Sequence, residues 1–181
     1  MASITCTDSA GGLTQGPIAG AGTGSASVAL SVSGGGDHVI TCSATDGAMP
    51  PNTGAADGSE NVAVVRIDAT APTCTATASP SSIWPPNKKL VPVTVTVTVS
   101  DAQSGAGAFT LVSATSNEPN PGNADIQNFT IGAPDTAGSL RADRLGGGSG
   151  RVYTLTYAAT DAARNTGTCA ATVTVPHDQG H

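Results

Sequence analysis

Between Leu90 and Asp101 the chain alternates with a period of two. Val91, Val93, Val95, Val97 and Val99 fall on one face of an extended strand, and Thr94, Thr96, Thr98 and Ser100 fall on the other. Alternating β-branched residues mark a half-buried strand and cannot form the apolar stripe of a helix. The valine face needs a second sheet to cover it, so the pattern predicts an all-β sandwich. Similar stretches predict strands near 73–78, 89–100, 108–115, 126–131, 138–143, 151–160 and 167–175. Earlier in the chain they predict strands near 2–7, 25–33, 37–45 and 60–68. The segment from Gly11 to Gly24, rich in Gly, Pro and Ala, gives no strand signal.

Two patterns recur in the same order. Ile4-Thr5-Cys6-Thr7-Asp8 matches Val97-Thr98-Val99-Ser100-Asp101, and Thr41-Cys42-Ser43-Ala44-Thr45-Asp46 matches Thr156-Tyr157-Ala158-Ala159-Thr160-Asp161. Each is a strand ending in Asp and a loop of small residues. They are read as strands B and F of two related sandwiches. Between the copies, Val64-Val65-Arg66-Ile67-Asp68-Ala69-Thr70-Ala71-Pro72 is a strand running into a Pro-containing link, which places a domain boundary there. The expected organisation is an incomplete domain over 1–69 that begins near strand B, a full domain over 70–176, and a tail over 177–181.

Composition narrows the function. Seven Lys and Arg against thirteen Asp and Glu give a net charge of -6, too little positive charge to match a nucleic-acid backbone. No apolar run approaches the ~20 residues of a membrane helix. The start carries no basic-then-apolar leader, so Met1 is read as the beginning of an expressed fragment. Charged residues are only 11%, leaving the surface to Thr, Ser, Asn and Gly. The four cysteines lie in strand-like contexts with no CxxC pair, and the histidines are scattered. That favours two disulfides and export over a zinc site. Three pairings are possible in principle.

Ile67-Asp68-Ala69-Thr70-Ala71-Pro72-Thr73 and Ala159-Thr160-Asp161-Ala162-Ala163-Arg164-Asn165 resemble the link and the last inter-strand loop of immunoglobulin-like repeat modules in bacterial secreted and surface proteins. The chain departs from that pattern at Ala69, where Thr is usual, and at Arg164, where Gly is usual. The resemblance implies tandem immunoglobulin-like β-sandwiches, the first lacking its N-terminal strand, either because the fragment was cut there or because another chain supplies that strand. It also implies a Cys6–Cys42 bridge across the sheets of the first domain, with Val99 and Tyr157 in the equivalent places of the second. Cys74 and Cys169 then pair within the second domain. Each bridge contributes roughly 2–4 kcal/mol.

The same resemblance implies that Asp101, Asp161 and Asn165 surround the linker residue Asp68, an oxygen-rich set suited to calcium. The competing reading is that the aspartates cap their own turns. Trp84, the only tryptophan, is read first as a core plug between the first two strands of the second domain, and otherwise as a platform for a sugar ring. Aromatic residues are only 3%, few for a carbohydrate-binding face. Lys88 and Lys89, near Asn87, are read as solvated rather than as partners in an isopeptide crosslink. The polar stretch Ser116–Asp125 reads as an exposed connection, and His177 and His181 as an exposed terminus. Catalysis has no support: there is no Gly-x-Ser-x-Gly elbow, and Glu60 and Glu118, the only glutamates, lie in different domains. The expected function is a non-catalytic module of a secreted or cell-surface protein, one that spaces, presents or assembles its neighbours or copies of itself. The alternative is binding of carbohydrate or a host surface.

Overall fold

A computed structural model of the chain describes residues 3–19, 26–45, 53–55 and 62–177. They divide into two compact units, Met1–Ala69 and Thr70–His181. The regular structure of the described residues is β-strand, apart from a single 3-10 turn at Pro121–Asn123. No helix among them is long and apolar enough to cross a membrane.

The first unit holds β1 (Ser3–Asp8), β2 (Leu13–Ala19), β3 (Ser27–Val32), β4 (Gly36–Thr45), β5 (Thr53–Ala55) and β6 (Val62–Ile67). β4 is the centre of one antiparallel sheet. β1 lies along one side of it, with β5 and β6 pairing with successive halves on β4 as well, while β2 and β3 form a separate hairpin. The β2 segment contains Gly16 and Pro17, and its register with β3 shifts between Gln15 and Ile18. An irregularity of that kind erases the alternation that would have revealed the strand.

Cys6 and Cys42 are bonded, and they sit directly opposite each other on the neighbouring strands β1 and β4. The expected bridge across two sheets is therefore corrected to a bridge within one sheet. The strand lettering changes with it. β1 pairs with β4, whereas its supposed counterpart in the second unit lies in the other sheet from the counterpart of β4.

The second unit holds β7 (Thr73–Ser79), β8 (Leu90–Ser100), β9 (Phe109–Ser116), β10 (Ile126–Gln127), β11 (Ala137–Arg141), β12 (Gly150–Thr160) and β13 (Thr166–Pro176). One sheet has the order β10-β11-β8-β7 and the other β13-β12-β9. In chain order these are strands A to G of an immunoglobulin-like sandwich, four strands facing three. Val93 and Val95 of β8 are buried while the threonines between them are exposed, and Tyr153, Leu155, Tyr157 and Ala159 of β12 are fully buried opposite them. The bonded pair Cys74–Cys169 joins β7 of one sheet to β13 of the other. Val99 stands opposite Cys74 and Tyr157 opposite Cys169, so both residues flank the same bridge.

Candidate functional site

Two loops at one end of the second unit carry the predicted carboxylates. Asp101 follows the last residue of β8. Its Oδ1 accepts hydrogen bonds from the backbone N–H groups of Gln103, Ser104 and Gly105, at 2.9, 2.8 and 3.1 Å. Asp161 follows β12. Its Oδ1 accepts from Asn165 N at 2.8 Å and its Oδ2 from Asn165 Nδ2 at 2.9 Å, while its own N–H donates to Asn165 O at 3.1 Å. Both aspartates thus close their own turns, which is work that needs no ion. Arg164 completes the second turn in the left-handed region at φ 73°. Gly107 lets β12 approach closely, since a Cβ there would lie 1.7 Å from Thr160 O.

Carboxylate oxygens of Asp101 and Asp161 come within 4.8 Å of each other. Calcium binds oxygens at about 2.3–2.6 Å, so one ion could bridge these two. The donors are all hard oxygens, the set expected for calcium or magnesium rather than zinc. Asn165 turns its amide nitrogen toward Asp161, and of its two side-chain polar atoms only the carbonyl oxygen can ligate a hard cation. Asp68 belongs to the first unit, where it is half-buried just after β6.

The other end of the second unit holds a charge network that sequence reasoning missed. Arg151, at the start of β12, is 4% exposed. Its Nε donates to Glu118 Oε2 at 3.1 Å, and its Nη1 to Tyr153 Oη at 3.2 Å and to Asp125 Oδ2. Arg141 reaches Asp125 Oδ1 at 2.7 Å and the carbonyls of Lys88 and Ala124 at 2.8 and 2.9 Å. Burial opposes the charge on Arg151, but its bonds to Asp125, Tyr153 and Glu118 outweigh burial and raise its pKa further. Burial raises the Tyr153 phenol as well. The network pins Glu118 and Asp125, both 8% exposed, while Asn117, Pro119, Pro121, Gly122 and Ala124 between and beside them are exposed, so the 116–125 stretch is a surface connection anchored at both acids. A signal was present: Arg151 has the same parity as Tyr153, Leu155 and Tyr157, and an inward-facing Arg on a core strand demands buried acids.

The tail also departs from expectation. His177 is half-buried, its Nε2 lies 2.8 Å from Gly146 O, and its carbonyl accepts from Arg144 Nη2 at 2.6 Å. His181 lies outside the described residues. Lys88 and Lys89 are exposed.

Trp84 is 44% exposed and does not close the core. Segment 81–83 crosses to β13, where Thr174 N donates to Ser81 O at 3.0 Å and Ile83 N donates to Thr174 O at 2.8 Å. That pairing turns Ile83 inward, to 3% exposure, and the next side chain outward.

In the first unit, His38 and Asp8 form a buried pair that no motif announced. His38 Nδ1 lies 2.7 Å from Asp8 Oδ2, and Nε2 lies 3.2 Å from Gly34 O. Both ring nitrogens face acceptors, so the imidazolium satisfies both. The bond to Asp8 raises the His38 pKa despite burial. Burial pushes the Asp8 carboxyl upward, but the bonds from His38 and the Ala10 N–H overcome that and lower it.

No protein-family profile matches the chain, and no curated protein matches it. Among solved structures it is similar to the EC1-3 fragment of protocadherin gamma C5, with 14% identity, a TM-score of 0.45, and coverage of 96% of this chain and 55% of that one. It is also similar to extracellular cadherin domains 3-6 of protocadherin gamma B2, with 14% identity, a TM-score of 0.42, and coverage of 96% and 41%. For the protocadherin gamma B4 extracellular domain the values are 15%, 0.41, 94% and 27%. The chain thus spans little more than half of the longest-covered of these structures. The fold assignment rests on the strand order and register described above.

Proposed function

We propose that the chain is a non-catalytic structural and adhesion module of a secreted or cell-surface protein, of the kind found in bacterial tandem repeats. The observation that carries this reading is the pair of disulfide-bridged β units in tandem. Such bridges form and persist in oxidising compartments outside the cytosol. The polar side chains gathered inside the second unit, Glu118, Asp125, Arg141 and Arg151, are engaged with one another and with backbone, which suits a load-holding scaffold. The partners are neighbouring domains of the parent protein or copies of this chain. Calcium belongs to the proposal: Asp101, Asp161 and the Asn165 amide oxygen supply its oxygen donors.

Beads coated with the oxidised protein test the adhesion reading. Clustering in calcium, dispersed by a chelator, supports it. Thermal unfolding tests the ion itself. A ligand that binds only the native state adds ~2.7 kcal/mol at a hundredfold excess over its Kd. Melting should rise in calcium and lose that rise in Asp161→Ala. An unchanged melting temperature would leave Asp68, Asp101 and Asp161 as turn residues.

A second reading has its own support. Trp84 is exposed and followed by Pro85 and Pro86, a stiff setting for stacking on a sugar face. A glycan screen in which binding disappears with Trp84→Ala would favour a carbohydrate- or host-surface-binding module.

A further inference from the structure

The chain is acidic overall, yet its positive charge is gathered in one place. Six of its seven Lys and Arg lie in the second unit. Five of those six meet at the end where β8 begins and β11 stops. Arg141 donates to the Lys88 carbonyl, and the N–H of Ala142 donates to the Lys89 carbonyl. Arg151 joins Arg141 through Asp125, and Arg144 reaches the carbonyls of Pro176 and His177. The described acids of this end are Glu118, Asp125 and Asp143, so five cations stand against three carboxylates in a chain of net charge -6.

The excess is at the surface. Glu118 and Asp125 are engaged by Arg151 and Arg141 inside the unit, whereas Lys88 and Lys89 are exposed. Lys88 stands at φ 64°, in the left-handed region that Gly or Asn would occupy at less cost. It is held there from both sides: its N–H donates to Ala142 O at 2.8 Å, and its carbonyl accepts from Arg141 Nη1 at 2.8 Å. Lys89 is fixed as well, its N–H donating to Asn87 Oδ1 at 3.1 Å and its carbonyl accepting from Ala142 N at 2.8 Å. Both ammonium groups therefore spring from a fixed base. Trp84 lies four residues upstream, 44% exposed, between the inward Ile83 and the stiff Pro85-Pro86 pair. Even a fully extended backbone would keep it within roughly 18 Å of either lysine.

We infer that this end of the second unit binds an acidic polysaccharide, one whose sugars carry carboxylate or sulfate groups. Trp84 stacks on the apolar face of one ring, and Lys88 and Lys89 pair with the anionic groups of its neighbours. Exposed ammonium groups alone give little affinity, and an indole face alone does not read charge. Together they select a sugar polymer that is also an anion. The inference rests on the carbohydrate reading of Trp84 and adds the charge of the ligand.

Trp84 is the only tryptophan, so intrinsic fluorescence reports on this site. The oxidised chain is titrated at low ionic strength with hexamers of galacturonic acid, hexamers of mannuronic acid and a heparin-derived hexasaccharide. Each is matched with a neutral form, the carboxyl methyl ester for the uronates and the desulfated ester for the third. The expected result is saturable binding of at least one acidic oligomer, about fivefold or more tighter than its neutral form. Binding should weaken in ~0.5 M salt, and the uronates and the sulfated sugar tell which anion is preferred. By calorimetry, Lys89→Gln and Lys88→Asn, the latter suited to the left-handed backbone, should each weaken binding about two- to fivefold at unchanged melting temperature. Trp84→Ala should abolish it. Equal affinity for acidic and neutral forms would overturn the inference and leave the carbohydrate reading standing. Acidic oligomers that still bind Trp84→Ala would reduce the lysines to diffuse counter-charge and overturn the site. No binding of any oligomer at millimolar concentration would overturn it too, and the wider glycan screen would then decide the carbohydrate reading separately.

Discussion

His38 presents two ring nitrogens to two acceptors, a carboxylate and a carbonyl, with 2% of its side chain exposed. Its raised pKa means that the fold stabilises the imidazolium. That contribution is complete below the ordinary value of 6.5 and is lost as pH rises through the higher folded value. Asp8 works in the opposite direction: its contribution is present above 3.8 and is lost as pH falls through its lowered folded value. The pair is therefore most effective between about pH 4 and 6.5. The charge that acts on His38 is that of Asp8, and the charge that acts on Asp8 is that of His38. Melting of the first unit should decline on the alkaline side, and His38→Gln should flatten that decline. A native His38 titrating at or below 6.5 by NMR would contradict this. In the second unit, Arg151→Ala would strand Glu118 and Asp125 in the interior. Removing one member of a buried ion pair costs about 3–5 kcal/mol, so urea unfolding should show a loss of that size. The inward parity of Arg151 was legible beforehand, but the partners in both clusters were not, because they lie 30 or 26 and 33 residues apart and meet only through strand register.

At the level of elements, alternation revealed most of what exists. β8 and β12 each run for eleven residues with strict inward and outward positions, and their ends were readable from the aspartates that follow. β2 was not readable because Gly16 and Pro17 interrupt its period. β10 stops after Gln127 because Asn128 turns to φ 61°, so the longer strand expected there does not form. The pairing of Cys6 with Cys42 is one that strands in the same sheet and strands in facing sheets could both make, and only the register tells them apart. Trp84 was misplaced by one position, since Ile83 takes the inward place. The turn after β12 carries a cost of its own. Arg164 occupies the left-handed region, where a side chain costs roughly 1–2 kcal/mol that Gly avoids. Arg164→Gly should therefore raise the melting point of the second unit by a net of about 0.5–1 kcal/mol. A fall in stability would show that the arginine side chain supports the turn.

For the whole molecule, two β units in tandem followed from the repeated patterns and the Pro-containing link. The completeness of each unit did not, because it depends on which strand lies beside which. The Cys74–Cys169 bridge has a mechanical consequence. It ties the second residue of β7 to a residue near the start of β13, 95 positions later. Tension entering the second unit near Thr70 and leaving near His177 crosses that covalent link. It loads residues 170–176 of β13, which pair with β12, but cannot extend the chain between the two cysteines. The 95 positions from Cys74 to Cys169 amount to about 320 Å of chain held in reserve. Single-molecule stretching of the oxidised protein should show that length missing, and reduction should release it as a longer unfolding step. Steps of equal length before and after reduction would mean that the bridge does not carry the load. A module built this way would keep the chain between its cysteines from extending under load.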